Sequence, residues 1–196
     1  MNLPNKITVS RIILSIIVLL LLVFPLEKIG INVSTIVANG TIQVDIKYII
    51  CGVLFLIASV TDFVDGHIAR KYNMVTDFGK IMDAIADKIL VNGVLIILAC
   101  KGFVSVIIPV IVISRDTIVD SIKMIVGNKE GAVGASKAGK LKTICMMCGV
   151  TLMLFYNLPF ELIGIRVADF LIILATVLSV ISGVQYYLNY KDKLIS

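Results

Sequence analysis

Four aspartates carry the chemistry open to this chain. Asp62, Asp65, Asp83 and Asp87 stand at the ends of two long apolar runs, in the stretches T-D-F-V-D-G-H-I-A-R and F-G-K-I-M-D-A-I-A-D-K. Spacings of three and four residues put each pair on one face of a helix. The link between the two runs is short enough to demand an antiparallel turn, so the four acids face one another at one depth. Four carboxylates in a poorly hydrated pocket cannot all stay ionised without protons or cations between them. Asp62 and Asp65 also lie near the carboxyl end of their helix, where the helix dipole disfavours negative charge. An all-oxygen cluster suits a hard divalent cation, and Mg²⁺ prefers to share such a site with substrate phosphates. The stretch reads as a site for metal and phosphate.

The elements that must position these acids are hydrophobic helices. The 196 residues are 59% apolar and 16% charged, with a mean hydropathy of +1.04. That composition predicts an integral membrane protein, all-α, with residues 1–196 forming one domain. A net charge of +5 raises the question of nucleic acid. The basic residues are not clustered with interleaved aromatics, so no nucleic-acid partner is expected. Cys145-Met-Met-Cys148 fits the C-x-x-C pattern, but two small apolar residues on one turn of a membrane helix explain it better than redox chemistry.

Taken in order, the chain predicts six spans. The first runs over Ile7–Leu26, after a basic start with no small-residue cleavage site behind it. A loop over Leu26–Gln43 precedes the second, at Val44–Gly66. The third covers Gly79–Cys100, with Lys101-Gly102 as a minimal turn to the fourth, Phe103–Val126, in which Pro109 predicts a mid-span kink. The fifth and sixth cover Lys140–Tyr156 and Val167–Tyr190, and Tyr186, Tyr187 and Tyr190 suggest an interfacial belt.

The uncharged cores of spans two, three and four reach only about a dozen residues each, where about 20 are needed. Full length requires Asp62, Asp83, Asp87, Arg115, Asp116, Asp120 and Lys123, all at the same ends of their helices. Those ends must face a hydrated cavity. Of the 18 Lys and Arg residues, 14 fall on the side of the amino terminus and four (Lys28, Lys47, Lys101, Arg166) on the other. The positive-inside rule then predicts a cavity open to the cytoplasm, with both termini cytoplasmic.

Asp62-x-x-Asp65-Gly66-x-x-Ala69-Arg70, eight residues, then Gly79-x-x-x-Asp83-x-x-x-Asp87 resembles the signature of the CDP-alcohol phosphotransferase family at every defining position. The physical reading agrees with it. Gly66 and Ala69 leave room for a nucleotide near the backbone, Arg70 can pair with a diphosphate, and Gly79 lets the third helix approach the second. The resemblance implies displacement of CMP from a CDP-linked lipid with two divalent ions, Mg²⁺ or Mn²⁺. By position, Asp62, Asp65 and Asp83 would ligate metal, and Asp87 would complete the site and act as general base. Asp62, Gly66, Ala69, Arg70 and Gly79 would hold the CDP-lipid.

Within the family the chain is most similar to the bacterial branch that transfers a phosphatidyl group from CDP-diacylglycerol to sn-glycerol 3-phosphate. The markers are Asn2–Arg11, Ile111–Asp116 and Gly139–Thr143. Three positions depart from the common pattern: Asp116 stands for a glutamate, Lys123 for an arginine, and Ala84-Ile85 for a proline-containing step. The small dianionic acceptor needs fixed cations beside the metal site. Arg115, inside the fourth span, is the first candidate, because an intramembrane arginine is costly unless it is used. Lys137, Lys140 and Lys142 are the others. For Arg115 the alternative is an ion pair with Asp116 or Asp120. For the lysines it is flank charge meeting anionic lipid heads. Other acceptors (inositol phosphate, phosphatidylglycerol, serine) keep the same chemistry, and a cation transporter is the rival from a different class. The resemblance places the chain in the cytoplasmic membrane among lipids, and a homodimer stays open.

Overall fold

The computed structural model describes residues 3–25, 35–38, 42–71, 77–130, 134 and 136–195; the side chains of residues 3–6, 36, 38, 42, 63–65, 67–71, 77, 78, 80, 81, 128–130 and 192–195 lie outside that description. The fold is all-α. Among the described residues six α-helices follow one another: α1 (Leu3–Val23), α2 (Ile46–Lys71), α3 (Asp77–Cys100), α4 (Ile107–Glu130), α5 (Lys137–Leu154) and α6 (Val167–Ile195). The expected loop before the second helix is partly a β-hairpin. Strands β1 (Thr35–Ala38) and β2 (Ile42–Asp45) pair antiparallel with Thr35 opposite Asp45 and Ala38 opposite Ile42. The β-branched Thr35, Ile36 and Val37 of β1, and Ile42 and Val44 of β2, favour extended backbone.

The helices sort into two groups of three. α1 packs on α2 and α3, while α6 packs on α4 and α5; the groups meet through α2 with α5 and α3 with α4. Two helices show why. The buried stripe of α1 is Thr8, Arg11, Ser15, Val18 and Leu22, and that of α6 includes Ala168, Ile172, Ala175, Ser179, Ser182 and Tyr186. Both follow alternating steps of three and four residues, the spacing of a helix seam. In each stripe the polar members gather at one end, where the predicted site lies. Small residues allow close approach at the seams. A Cβ on Gly149 would come within 3.1 Å of the Ile172 backbone nitrogen, and one on Gly93 within 2.7 Å of Leu19 Cδ2.

Outward faces are apolar: Ile13, Leu20, Val53, Ile57, Val110, Phe170 and Ile173 are all exposed, whereas Arg11, Ser15, Lys142, Ser179 and Ser182 are buried. Among the described residues one helix, Val167–Lys191, is long and apolar enough to cross a membrane by length and composition; Ile7–Val23 is a shorter apolar helix. The expectation was six spans. In α2, α3 and α4 the charged residues noted above interrupt the apolar stretch.

Helix ends depart from expectation in instructive ways. Pro109 falls in the first turn of α4, where no backbone N–H is needed, and not at mid-span. α3 closes on a glycine with φ +80°, Gly102. The Gly102 amide donates to the Ala99 carbonyl at 3.0 Å and Phe103 to Leu98 at 2.9 Å, a paired terminal capping arrangement. Ser136 caps α5, its hydroxyl accepting from the Gly139 amide at 3.0 Å. Between α5 and α6 the buried Asn157 side chain donates to the Ile165 carbonyl (2.7 Å) and accepts from the Ala168 amide (3.0 Å), fixing the turn into α6.

Candidate active site

The first half of the site is built where α1, α2 and α3 meet. Arg11 Nη1 donates to Asp62 Oδ1 and, at 2.8 Å, to Asp83 Oδ1. Its side chain is 1% exposed, against 23% for Asp62 and 46% for Asp83. Two carboxylate oxygens from two helices thus converge on one nitrogen. Arg11 stands in the polar end of the α1 stripe, and the Ser15 hydroxyl donates to its carbonyl at 2.8 Å. Asp87 follows Asp83 by one turn on α3. Asp65, Ala69 and Arg70 lie on α2 beyond Asp62; the roles expected for their side chains fall outside the described residues. Gly66 and Gly79 are half-buried in α2 and α3.

Among the described residues no group of three His, Cys, Asp or Glu side chains is arranged to hold a metal ion. Asp62 and Asp83 nevertheless present the right donor chemistry. Their oxygens share Arg11 as a positively charged partner, and hard divalent ions take such oxygens.

The second half lies on α4, α5 and α6. Asp116 accepts from Arg115 Nη1 at 2.8 Å and from Lys142 Nζ at 2.8 Å to each carboxylate oxygen. Arg115 Nη2 donates to Ser182 Oγ, which in turn donates to the Ser179 carbonyl at 3.1 Å. All three charged side chains are at most 16% exposed. Of the two pairings weighed for Arg115, the structure has Asp116. Asp120 is taken by Lys88, and that ion pair ties α3, next to Asp87, to α4. The predicted cations part company here: Arg115 and Lys142 converge, whereas Lys137 and Lys140 are exposed at the start of α5.

Tyr186 is not part of an interfacial belt. It is 5% exposed, its hydroxyl donates to the Gly134 carbonyl at 2.7 Å and accepts from the Ser136 amide at 2.9 Å, and Lys123 Nζ lies 5.1 Å from its ring centroid. It fastens the segment leading into α5 against α6.

Sequence reading missed two residues. Arg11 counted only as flank charge and as the end of an amino-terminal marker. Its signal was there: it shares a seam with Thr8, Ser15, Val18 and Leu22. Ser182 sits three residues after Ser179 on the small-residue seam of α6, a pattern that reads equally as plain helix packing.

Comparison with known proteins shows the family. Residues 1–181 match the family model described as CDP-alcohol phosphatidyltransferase. A Bacillus subtilis protein named CDP-diacylglycerol–glycerol-3-phosphate 3-phosphatidyltransferase is 37% identical over 95% of this chain and 93% of its own length. Proteins of the same name from Rickettsia typhi and Mycoplasma genitalium are also similar. The first is 33% identical over 95% of both chains. The second is 34% identical over 79% of this chain and 65% of its own length. A match spanning nearly all of the chain, with the aspartate signature inside it, leads to one assignment: the chain belongs to the CDP-alcohol phosphatidyltransferase family.

Proposed function

We propose that the chain transfers the phosphatidyl group of CDP-diacylglycerol to sn-glycerol 3-phosphate, giving phosphatidylglycerophosphate and CMP. The names of its relatives support this reading. The observation that carries the acceptor is the convergence of Arg115 and Lys142 on one carboxylate, at the helix ends that also hold Asp83 and Asp87. A guanidinium and an ammonium aimed at one pair of oxygens form a cradle for an anion, and a guanidinium suits phosphate in particular.

In this reading Asp62, Asp65, Asp83 and Asp87 would hold two divalent ions, Mg²⁺ or Mn²⁺, which would supply electrostatic stabilisation of the diphosphate and of the departing CMP. Arg70 pairs with the diphosphate, and Gly66, Ala69 and Gly79 leave room for the nucleotide. Arg115 and Lys142 hold the acceptor phosphate, with Ser182 and Asp116 fixing the guanidinium. The acceptor hydroxyl oxygen forms the new bond to the phosphatidyl phosphorus while the bond to the CMP oxygen breaks. The hydroxyl proton passes to Asp87. Lys137 and Lys140, exposed on α5, serve as flank charge and stand outside the pocket.

The six helices cross a bacterial cytoplasmic membrane, with the site open to the cytoplasm and both termini on that side. The apolar outward faces, the buried polar seams and the 14-to-4 bias of Lys and Arg support this topology. Purified protein given labelled CDP-diacylglycerol and a panel of acceptors tests the function. Glycerol 3-phosphate should be used well ahead of inositol phosphate, phosphatidylglycerol and serine; preference for any of these would replace the acceptor.

A further inference from the structure

We infer that Arg11 is an internal counter-cation, holding the Asp62 and Asp83 oxygens together until divalent ions take them. The inference rests on the metal reading above and adds to it a residue outside the aspartate signature. One guanidinium nitrogen, Nη1, donates to a carboxylate oxygen of α2 and to one of α3. Its charge therefore sits against the same two oxygens that the metal reading gives to the divalent ions. An arginine keeps its proton at any accessible pH, so that charge is not lost by neutralisation. With 1% of its side chain exposed, it stays inside the bundle when it yields the oxygens. It has to compete with the ions from inside the protein.

The competition has a structural reason. Two carboxylates held near each other repel one another, and α2 and α3 would be pushed apart. A fixed positive charge on α1 removes that repulsion and lets the three helices close. The stripe that brings it there is polar at this end alone: Thr8, Arg11 and Ser15, then Val18 and Leu22. The cost falls on metal affinity, because each arriving ion meets a cation already in place. The outcome is a site that folds without metal and binds it reversibly.

The test uses the full chain in detergent, wild type beside Arg11→Met and Arg11→Lys. Mn²⁺ binding is followed by electron paramagnetic resonance of the free ion, and thermal unfolding by circular dichroism. Arg11→Met should unfold at least 5 °C lower than wild type without metal. It should regain most of that loss in saturating Mn²⁺, and bind Mn²⁺ at least tenfold more tightly. Arg11→Lys, which keeps the charge, should bind Mn²⁺ within about threefold of wild type. Unchanged or weaker Mn²⁺ binding by Arg11→Met, or failure of that variant to fold even in saturating Mn²⁺, would overturn the inference and leave Arg11 as a structural tie. A wild type that binds no Mn²⁺ and transfers phosphatidyl groups after exhaustive chelation would sink the metal reading itself, a different result from either of these.

Discussion

Around Asp62 and Asp83 one guanidinium lies among carboxylates; around Asp116 one carboxylate lies between a guanidinium and an ammonium. The two halves of the bundle are built alike. Each gathers its charges at the polar end of a seam on one helix: Arg11 of α1 meets Asp62 of α2 and Asp83 of α3, and Ser182 of α6 meets Arg115 of α4, whose partner Asp116 holds Lys142 of α5. What differs is the sign of the surplus. The first half offers acids, as the proposed metal site requires; the second offers bases, as the proposed acceptor site requires. The Lys88–Asp120 pair couples them at the junction of α3 and α4. The comparison teaches that helix packing supplies the framework and that a few polar positions on a seam set the charge each half presents.

The largest expected effect tests the acidic half. Asp87→Asn should leave CDP-lipid binding nearly intact and lower turnover by about 10²- to 10⁴-fold, the usual contribution of a general base. EDTA should abolish both CMP release and tight CDP-lipid binding, with Mg²⁺ or Mn²⁺ restoring them. Near-normal turnover in Asp87→Asn would remove the base from this half; full activity after chelation would remove the metal.

The basic half should respond differently. Arg115→Ala should raise KM for glycerol 3-phosphate by about 10- to 100-fold, as expected for losing a charged hydrogen-bonding partner. KM for CDP-diacylglycerol should hardly change, and Arg115→Lys should recover part of the loss. Equal effects on both substrates, with a lower melting temperature, would make Arg115 a structural partner of Asp116 and dissolve the division between the halves.

The sequence makes the acidic half more legible than the basic one, for a physical reason. Asp62, Asp65, Asp83 and Asp87 sit on two helices consecutive in the chain, so helical periodicity alone aligns them. Arg115, Asp116, Lys142 and Ser182 come from three helices, and their meeting depends on how α4, α5 and α6 rotate against one another. Residue spacing does not encode that rotation. Thus Lys137 and Lys140 looked equivalent to Lys142 in the sequence, whereas two steps along α5 turn Lys140 about 200° away from it. Arg11 was obscured by its neighbourhood, since a basic residue before an apolar run is also what membrane topology demands. The hairpin at Thr35–Asp45 was missed because four-residue strands give periodicity too little length to register.

The smallest effect separates the halves most cleanly, because it compares two glycine-to-alanine changes. A Cβ on Gly183 would lie 2.9 Å from Arg115 Cγ, and one on Gly93 would lie 2.7 and 2.8 Å from the two Leu19 methyls. Both are overpacked contacts against flexible side chains, each costing on the order of 1–3 kcal/mol if the neighbour cannot move. Leu19 carries no polar partner, so Gly93→Ala should lower the melting temperature by a few degrees and leave both KM values alone. Arg115 can give way only by shifting its guanidinium against Ser182 and Asp116. Gly183→Ala should therefore raise KM for glycerol 3-phosphate by about 3- to 10-fold, a displaced contact being worth less than a deleted one. KM for CDP-diacylglycerol should stay as in wild type. If Gly183→Ala only lowers the melting temperature, as Gly93→Ala does, the guanidinium position is not what the acceptor reads. The cradle would then have to be sought nearer Lys142.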